Sequence, residues 1–204
     1  MSNRRSFLRN SAILSSSLFI SGHSSGQDKS LNIRTAGSPV VLSTWNHGIQ
    51  ANKAAWEILG TGGKAVDAVE AGVRVPESDP RNTSVGLGGY PDRDGRVSLD
   101  ASIMDEHGNC GAVACLEHIE NPISVARKVM DDTPHVMLAG NGALEFALSQ
   151  GFEKKDLLTS QAKKALKKWQ KEKKYEPVIN IENHDTIGMV ALDSEGNLSG
   201  ACTT

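Results

Sequence analysis

Thr186-Ile187-Gly188-Met189-Val190-Ala191-Leu192, preceded by Asn183-His184-Asp185, is the stretch on which the fold turns. Its apolar run reads as a strand. Asp193-Ser194-Glu195-Gly196-Asn197 follows as a turn, then Leu198 to Thr204 as a return strand. The same layout occurs upstream: Val97 to Met104, a turn Asp105-Glu106-His107-Gly108-Asn109, then Cys110 to Leu116. In both Asp-x-x-Gly-Asn turns, glycine supplies the positive φ that a short hairpin requires. Two hairpins of near-continuous apolar character predict sheets covered on both faces.

The start of the second hairpin carries chemistry as well as structure. A Thr that begins a strand after Asp is ordinary when nothing else accompanies it. It becomes a nucleophile if the Asp185–Thr186 bond breaks, because the new α-amine then lies beside the Thr hydroxyl and can serve as its base. An N→O acyl shift would cut the bond: the hydroxyl attacks the preceding carbonyl, and water opens the resulting ester. That step needs a strained bond and an oxyanion donor. Asp185 is the expected local base or strain element.

Before and between the hairpins the pattern alternates. Ser38 to Trp45 reads as a buried strand and Ile49 to Leu59 as a helix stopped by Gly60, Gly62 and Gly63. Lys64 to Val75 is a second helix. Its Ala65, Ala68, Val69 and Gly72 form a small-residue face suited to lying close against a sheet. Glu77 to Gly89 reads as a loop. Asn121-Pro122 is expected to cap and start a helix, His135 to Leu138 to form a short strand, and Gly142 to Gln150 a helix closed by Gly151. Lysine-rich Glu153 to Lys174 reads as an exposed helix plus linker, mobile enough to let the new chain ends separate. Helices between strands give a layered α/β class.

A formal charge of −2 in 204 residues points away from nucleic acid and anionic membranes. Cys110, Cys115 and Cys202 have no disulfide spacing; each is expected to be a small buried hydrophobe. At the N-terminus, Arg4-Arg5-Ser6-Phe7-Leu8-Arg9 precedes a weakly apolar, Ser-rich run. It looks like a twin-arginine export signal, and the run is too short and polar to span a bilayer. Residues 1–30 are expected to be signal and spacer, with the protein exported, as to a periplasm, after it has folded.

Several motifs then occur in order: Ser43-Thr44-Trp45-Asn46, Gly62-Gly63-Lys64-Ala65-Val66-Asp67, Ser84-Val85-Gly86-Leu87-Gly88-Gly89, Pro91-Asp92-Arg93-Asp94-Gly95-Arg96, Leu99-Asp100-Ala101, Pro122-Ile123-Ser124-Val125-Ala126-Arg127, Thr133-Pro134-His135, and His184-Asp185-Thr186-Ile187-Gly188. Each is weak alone. As an ordered set over residues 38–204 they resemble the glycosylasparaginase (aspartylglucosaminidase) family of N-terminal nucleophile hydrolases. The resemblance implies a four-layer αββα sandwich and self-cleavage into α and β subunits. It implies hydrolysis of the amide joining N-acetylglucosamine to asparagine, with no metal or organic cofactor. A dimer of αβ units is implied for the full-length protein. By matching position, residues 31–185 resemble the α subunit and 186–204 the start of the β subunit. Thr186 would be the nucleophile, Asp185 the last residue before the cut, and Thr204 a hydroxyl contacting the nucleophile's amine. Ser84 would lie near the nucleophile and Trp45 would line the substrate pocket. The family's carboxylate- and amine-gripping Arg and Asp, and its Thr-Gly oxyanion hole, match nothing here, so the chain is expected to be a fragment lacking a C-terminal half. Two alternatives stand beside this reading. One is an L-asparaginase or isoaspartyl peptidase of the same superfamily; the other is an inactive remnant.

Overall fold

In a computed structural model of the chain, residues 37–172 and 186–204 are described. Six strands form one sheet: β1 (Val40–Ser43), β2 (Ser98–Met104), β3 (Cys110–Glu117), β4 (Met137–Ala139), β5 (Ile187–Leu192) and β6 (Leu198–Thr203). Their order across the sheet is β1-β5-β6-β2-β3-β4. All neighbours run antiparallel except β3 and β4. The hairpin β5–β6 therefore occupies the middle of the sheet, paired with β1 on one side and β2 on the other.

The helices are α1 (Gly48–Leu59), α2 (Ala65–Glu77), α3 (Pro122–Asp132), α4 (Gly140–Ser149) and α5 (Ser160–Glu172). The small-residue face of α2 does what its composition predicts. A Cβ on Gly72 would lie 2.5 Å from the Met189 sulfur of β5 and 3.0 Å from the Ala51 carbonyl of α1. Gly111 of β3 plays the same part for α3, since a Cβ there would run into the Ala126 carbonyl. Close approach of this kind leaves Ala51, Ala68, Val69, Val113, Ala126 and Ile187 essentially without solvent contact. Burying a Val or Ile side chain in such a layer stabilises by about 1.5–3 kcal/mol.

Three expectations are corrected. The sheet is covered on one face: Ile187 and Met189 are buried, while Val40, Leu42, Met104, Val190 and Leu198 are 46–62 % exposed. Strand β1 is accordingly an edge strand with its outer side chains in solvent, not a buried one. The described residues thus make a mixed α/β sheet flanked by helices, short of the four layers expected. Second, α2 continues through Pro76 to Glu77, so Glu77 is helical. Third, the cysteines are not buried; Cys115 and Cys202 are exposed and Cys110 is half-buried.

The helix starts are also unlike their local signals. Asn121 precedes α3, but its side chain makes no cap bond to that helix. The Ile123 N–H instead donates to Glu77 Oε1 at 3.1 Å. Likewise the Ala65 N–H at the start of α2 donates to Asp193 Oδ2 at 3.2 Å, across 128 residues of sequence. Both orphan amides are satisfied by carboxyl oxygens from distant elements, and at α2 the ionised Asp193 also meets the positive end of the helix dipole. Residues 1–36 and 173–185 lie outside the described structure, and with them the expected export signal, Asp185 and the end of the lysine-rich segment.

Candidate active site

Thr186 is the residue immediately before β5, and Thr204 the residue immediately after β6. Strand pairing brings them together: Ile187 stands opposite Thr203, so the two threonines flank the open end of one hairpin. Both line a recess of about 390 Å³ at the edge of the bare face, with Asp100, Ser102, Cys202 and Thr203 among its walls. The Thr204 N–H donates to the Asp100 carbonyl at 3.0 Å, anchoring β6 to β2 at this point.

Asp100 is held by an irregularity in the sheet. The β2–β3 register shifts between Leu99 and Ala101. Opposite, Cys115 sits in the left-handed region at φ 51°, and its N–H donates to Asp100 Oδ1 at 2.7 Å. An extra residue in one strand of a pair re-aims side chains in this way, and such bulges concentrate beside functional sites.

Trp45 follows β1 at the same end of the sheet. The strand pairing of Ser43 with Met189 is extended by two bonds, Thr44 N–H to the Gly188 carbonyl and Gly188 N–H to Thr44 Oγ1, both 3.0 Å. The chain then turns sharply into α1, and Trp45 takes φ 64° with 43 % of its surface exposed. A bulky residue in that backbone region costs of order 1–3 kcal/mol, and such strain gathers at functional sites. Sequence gave no sign of this strain. Ser84 is placed differently: its N–H and hydroxyl both donate to Asn82 Oδ1, at 3.1 and 3.0 Å, inside the loop after α2. That loop is latched to α2, because a Cβ on Gly86 would clash with the Glu77 backbone. Ser84 does not line the recess. Thr186 and Thr204 are thus brought together, Trp45 shares their end of the sheet, and Ser84 stands on the neighbouring loop.

Sequence reading missed Glu77. It is fully buried, and desolvation pushes its carboxyl up to about 8 despite hydrogen bonds from Thr203, Asn121 and Ile123. A signal existed: Val69, Val73 and Glu77 fall at i, i+4 and i+8, so the helical period places a carboxyl on the apolar stripe. Among the described residues no group of three or more His, Cys, Asp or Glu side chains is arranged to hold a metal ion.

A family model for asparaginases matches residues 40–204. The chain belongs to that asparaginase family. It is 59 % identical over 203 residues to the N(4)-(beta-N-acetylglucosaminyl)-L-asparaginase of Elizabethkingia miricola, an alignment covering 99 % of this chain and 60 % of that protein. The Rattus norvegicus protein of the same name is 34 % identical over 197 residues, 81 % of this chain and 57 % of the relative. An isoaspartyl peptidase/L-asparaginase from Rattus norvegicus is 42 % identical over 153 residues, 73 % of this chain and 46 % of the relative. The chain therefore spans less than two thirds of the length of these asparaginase-family proteins.

Proposed function

We propose that the protein is an exported, self-processing amidohydrolase that uses Thr186 to cleave the amide between N-acetylglucosamine and asparagine. The observation that carries this reading is the pairing of Thr186 with Thr204 in one recess at the end of the central hairpin. It is supported by the 59 % identity to the N(4)-(beta-N-acetylglucosaminyl)-L-asparaginase of Elizabethkingia miricola. In the cut, Thr186 Oγ adds to the Asp185 carbonyl, the C–N bond breaks and the nitrogen takes the hydroxyl's proton. Water then opens the ester, giving a carboxylate at Asp185 and a free amine and hydroxyl on Thr186. In turnover that amine takes the hydroxyl proton while Oγ attacks the substrate amide. The glycosylamine leaves, and water releases aspartate from the acyl-enzyme.

The four-layer sandwich is part of the same proposal. The uncovered face carrying Val40, Leu42, Met104, Val190 and Leu198 suits a second sheet packed about 10 Å away. Groups that grip the substrate's α-carboxylate and α-amine would come from residues after Thr204, and the full-length protein would be a dimer of αβ units.

Mass spectrometry of the purified full-length protein tests the cut: it should detect a chain beginning at Thr186. Thr186→Ala should stay whole, and Thr186→Cys should retain some cleavage. An uncut protein of full activity would sink the idea. The 42 % identity to an isoaspartyl peptidase/L-asparaginase favours a second reading of the substrate. Assaying glycoasparagine against an isoaspartyl dipeptide separates the two. Export is checked by changing Arg4 and Arg5 to Lys, which should retain the protein in the cytoplasm.

A further inference from the structure

Beneath the recess lies a carboxyl group that neither the cut nor the turnover uses. Glu77 ends α2, is inaccessible to solvent, and bonds to two other elements, β6 and the start of α3. Its Oε1 accepts the Thr203 hydroxyl at 2.6 Å and the Ile123 N–H of α3 at 3.1 Å. Its Oε2 accepts the Asn121 Nδ2 at 3.2 Å, and the same amide nitrogen donates to Ser78 Oγ at 3.0 Å. The Thr203 oxygen also lies 3.2 Å from the Asp100 carbonyl. That carbonyl accepts the Thr204 N–H. One side chain thus ties the end of α2 to the start of α3, to the last residue of β6 and, through it, to Asp100 of β2, opposite the bulge in β3.

Holding these elements together does not by itself call for an acid. A leucine would fill the space without the cost of desolvating a carboxyl. What an apolar side chain cannot do is fix a hydroxyl's direction. Thr203 has one proton to donate and stands between two acceptors, Glu77 and the Asp100 carbonyl. Its strand partner Ile187 is joined directly to Thr186, and Thr203 itself is joined directly to Thr204.

We propose that Glu77 is a positioning residue: through Thr203 it fixes the end of β6, and thereby the seat of Thr204 and the approach of Thr186. Its consequence for turnover rests on the function proposed above; the structural pin does not. Small displacements at a reacting centre are expensive, about a hundredfold in rate for roughly 1 Å. Glu77→Gln retains the acceptor for Thr203 and Ile123, with the Asn121 amide turned over to meet its NH₂. Thr203→Ser retains the hydroxyl. Glu77→Leu and Thr203→Val remove the bond while keeping bulk.

Two measurements on the full-length protein test this. The first is hydrogen exchange at the Thr204 amide, referred to amides of α1 in the same sample. Glu77→Leu and Thr203→Val should speed Thr204 exchange by about tenfold or more while α1 holds. Glu77→Gln and Thr203→Ser should stay within about threefold of the parent. A general loss of stability would move α1 as well. The second is turnover: the two bond-removing variants should lower kcat by about tenfold or more with KM within about threefold. Should Glu77→Leu fail to fold, Thr203→Val decides, since valine is the closest shape to threonine. Parental exchange at Thr204 in a folded Thr203→Val variant overturns the proposal. Altered exchange in a protein whose parent has no turnover leaves the pin standing and removes the functional reading instead.

Discussion

The two hairpins are near copies in sequence and in turn geometry, yet they do different work. In β2–β3, Asp105 Oδ1 accepts the N–H of His107 and of Asn109, both at 2.9 Å, and Oδ2 accepts Asn109 Nδ2 at 2.8 Å. In β5–β6, Asp193 does the same for Glu195, Asn197 and the Asn197 side chain. Gly108 and Gly196 take φ 81° and 88°. The difference is outside the turn. Asp193 is 3 % exposed and also caps α2 through the Ala65 N–H; Asp105 is only half-buried, and its side chain bonds within its own turn. A local motif fixed the chain reversal in both places, and packing alone decided which copy became a clamp between elements.

That contrast can be broken by paired substitutions. Asp193→Ala removes the turn bonds and strands a helix N-terminal amide, so it should cost about 2–4 kcal/mol in chemical denaturation. Asp105→Ala should cost about 1 kcal/mol, because water reaches the groups it leaves. Equal losses would show that the link to α2 contributes nothing.

Changing pH sharpens the contrast further. In Asp193 burial opposes ionisation, but hydrogen bonds from Asn197, Ala65 and Glu195 outweigh it and hold the carboxyl below its ordinary value of 3.8. Asp105 is likewise lowered, with Asn109 and His107 outweighing desolvation. Their contribution is present above about pH 3.8 and lost as pH falls through the lowered values. Glu77, beneath the end of β6, acts with the opposite sign. Its folded carboxyl titrates at about 8 against an ordinary 4.5, with Arg74 nearby as a minor opposing charge. Its contribution is full below pH 4.5 and lost as pH rises through about 8, at a slope of at most roughly 1.4 kcal/mol per pH unit. Glu77→Gln should flatten unfolding free energy between those limits. A mutant that tracks the parent across that window would show that Glu77 is ionised throughout.

The smallest expected difference between the hairpins is the control. Gly108→Ala and Gly196→Ala meet no atom within 4 Å, so both should cost only the left-handed backbone penalty, about 1–2 kcal/mol. Thermal unfolding should give the two variants equal shifts. A larger loss at Gly196 would place the asymmetry in the backbone and not in the carboxylate.

These outcomes bear on what could be read from the sequence. The strands, their Asp-x-x-Gly-Asn turns and the small-residue face of α2 were legible because period and turn chemistry act within a few residues. The register of the β5–β6 hairpin sets Thr186 and Thr204 at the same open end. The strain at Trp45 was not legible, because nothing about Ser43-Thr44-Trp45-Asn46 forces a positive φ until β1 is pinned to β5. Glu77 escaped the sequence reading because proline ordinarily ends a helix, whereas α2 runs one residue past Pro76. Asn121 was credited with a cap that Glu77 supplies, since a cap borrowed from another element leaves no mark beside the helix it serves. The exposed cysteines were misjudged from habit of residue type: Cys202 points to the uncovered face and Cys115 occupies the bulge.

The strand order has a consequence for timing. The middle of the sheet is contributed by residues 187–203, whereas its two edges, β1 and β4, come from residues 40–43 and 137–139. A ribosome delivering this chain releases the edges long before it releases what joins them. Until the β5–β6 hairpin emerges, β1 and β2 have no shared neighbour, and this sheet cannot close on itself. Assembly must therefore bridge well over a hundred residues, the kind of long-range pairing that folds slowly. The same interleaving means that severing the chain before Thr186 would free an end but release nothing: the new piece would remain gripped along both its edges by the old one.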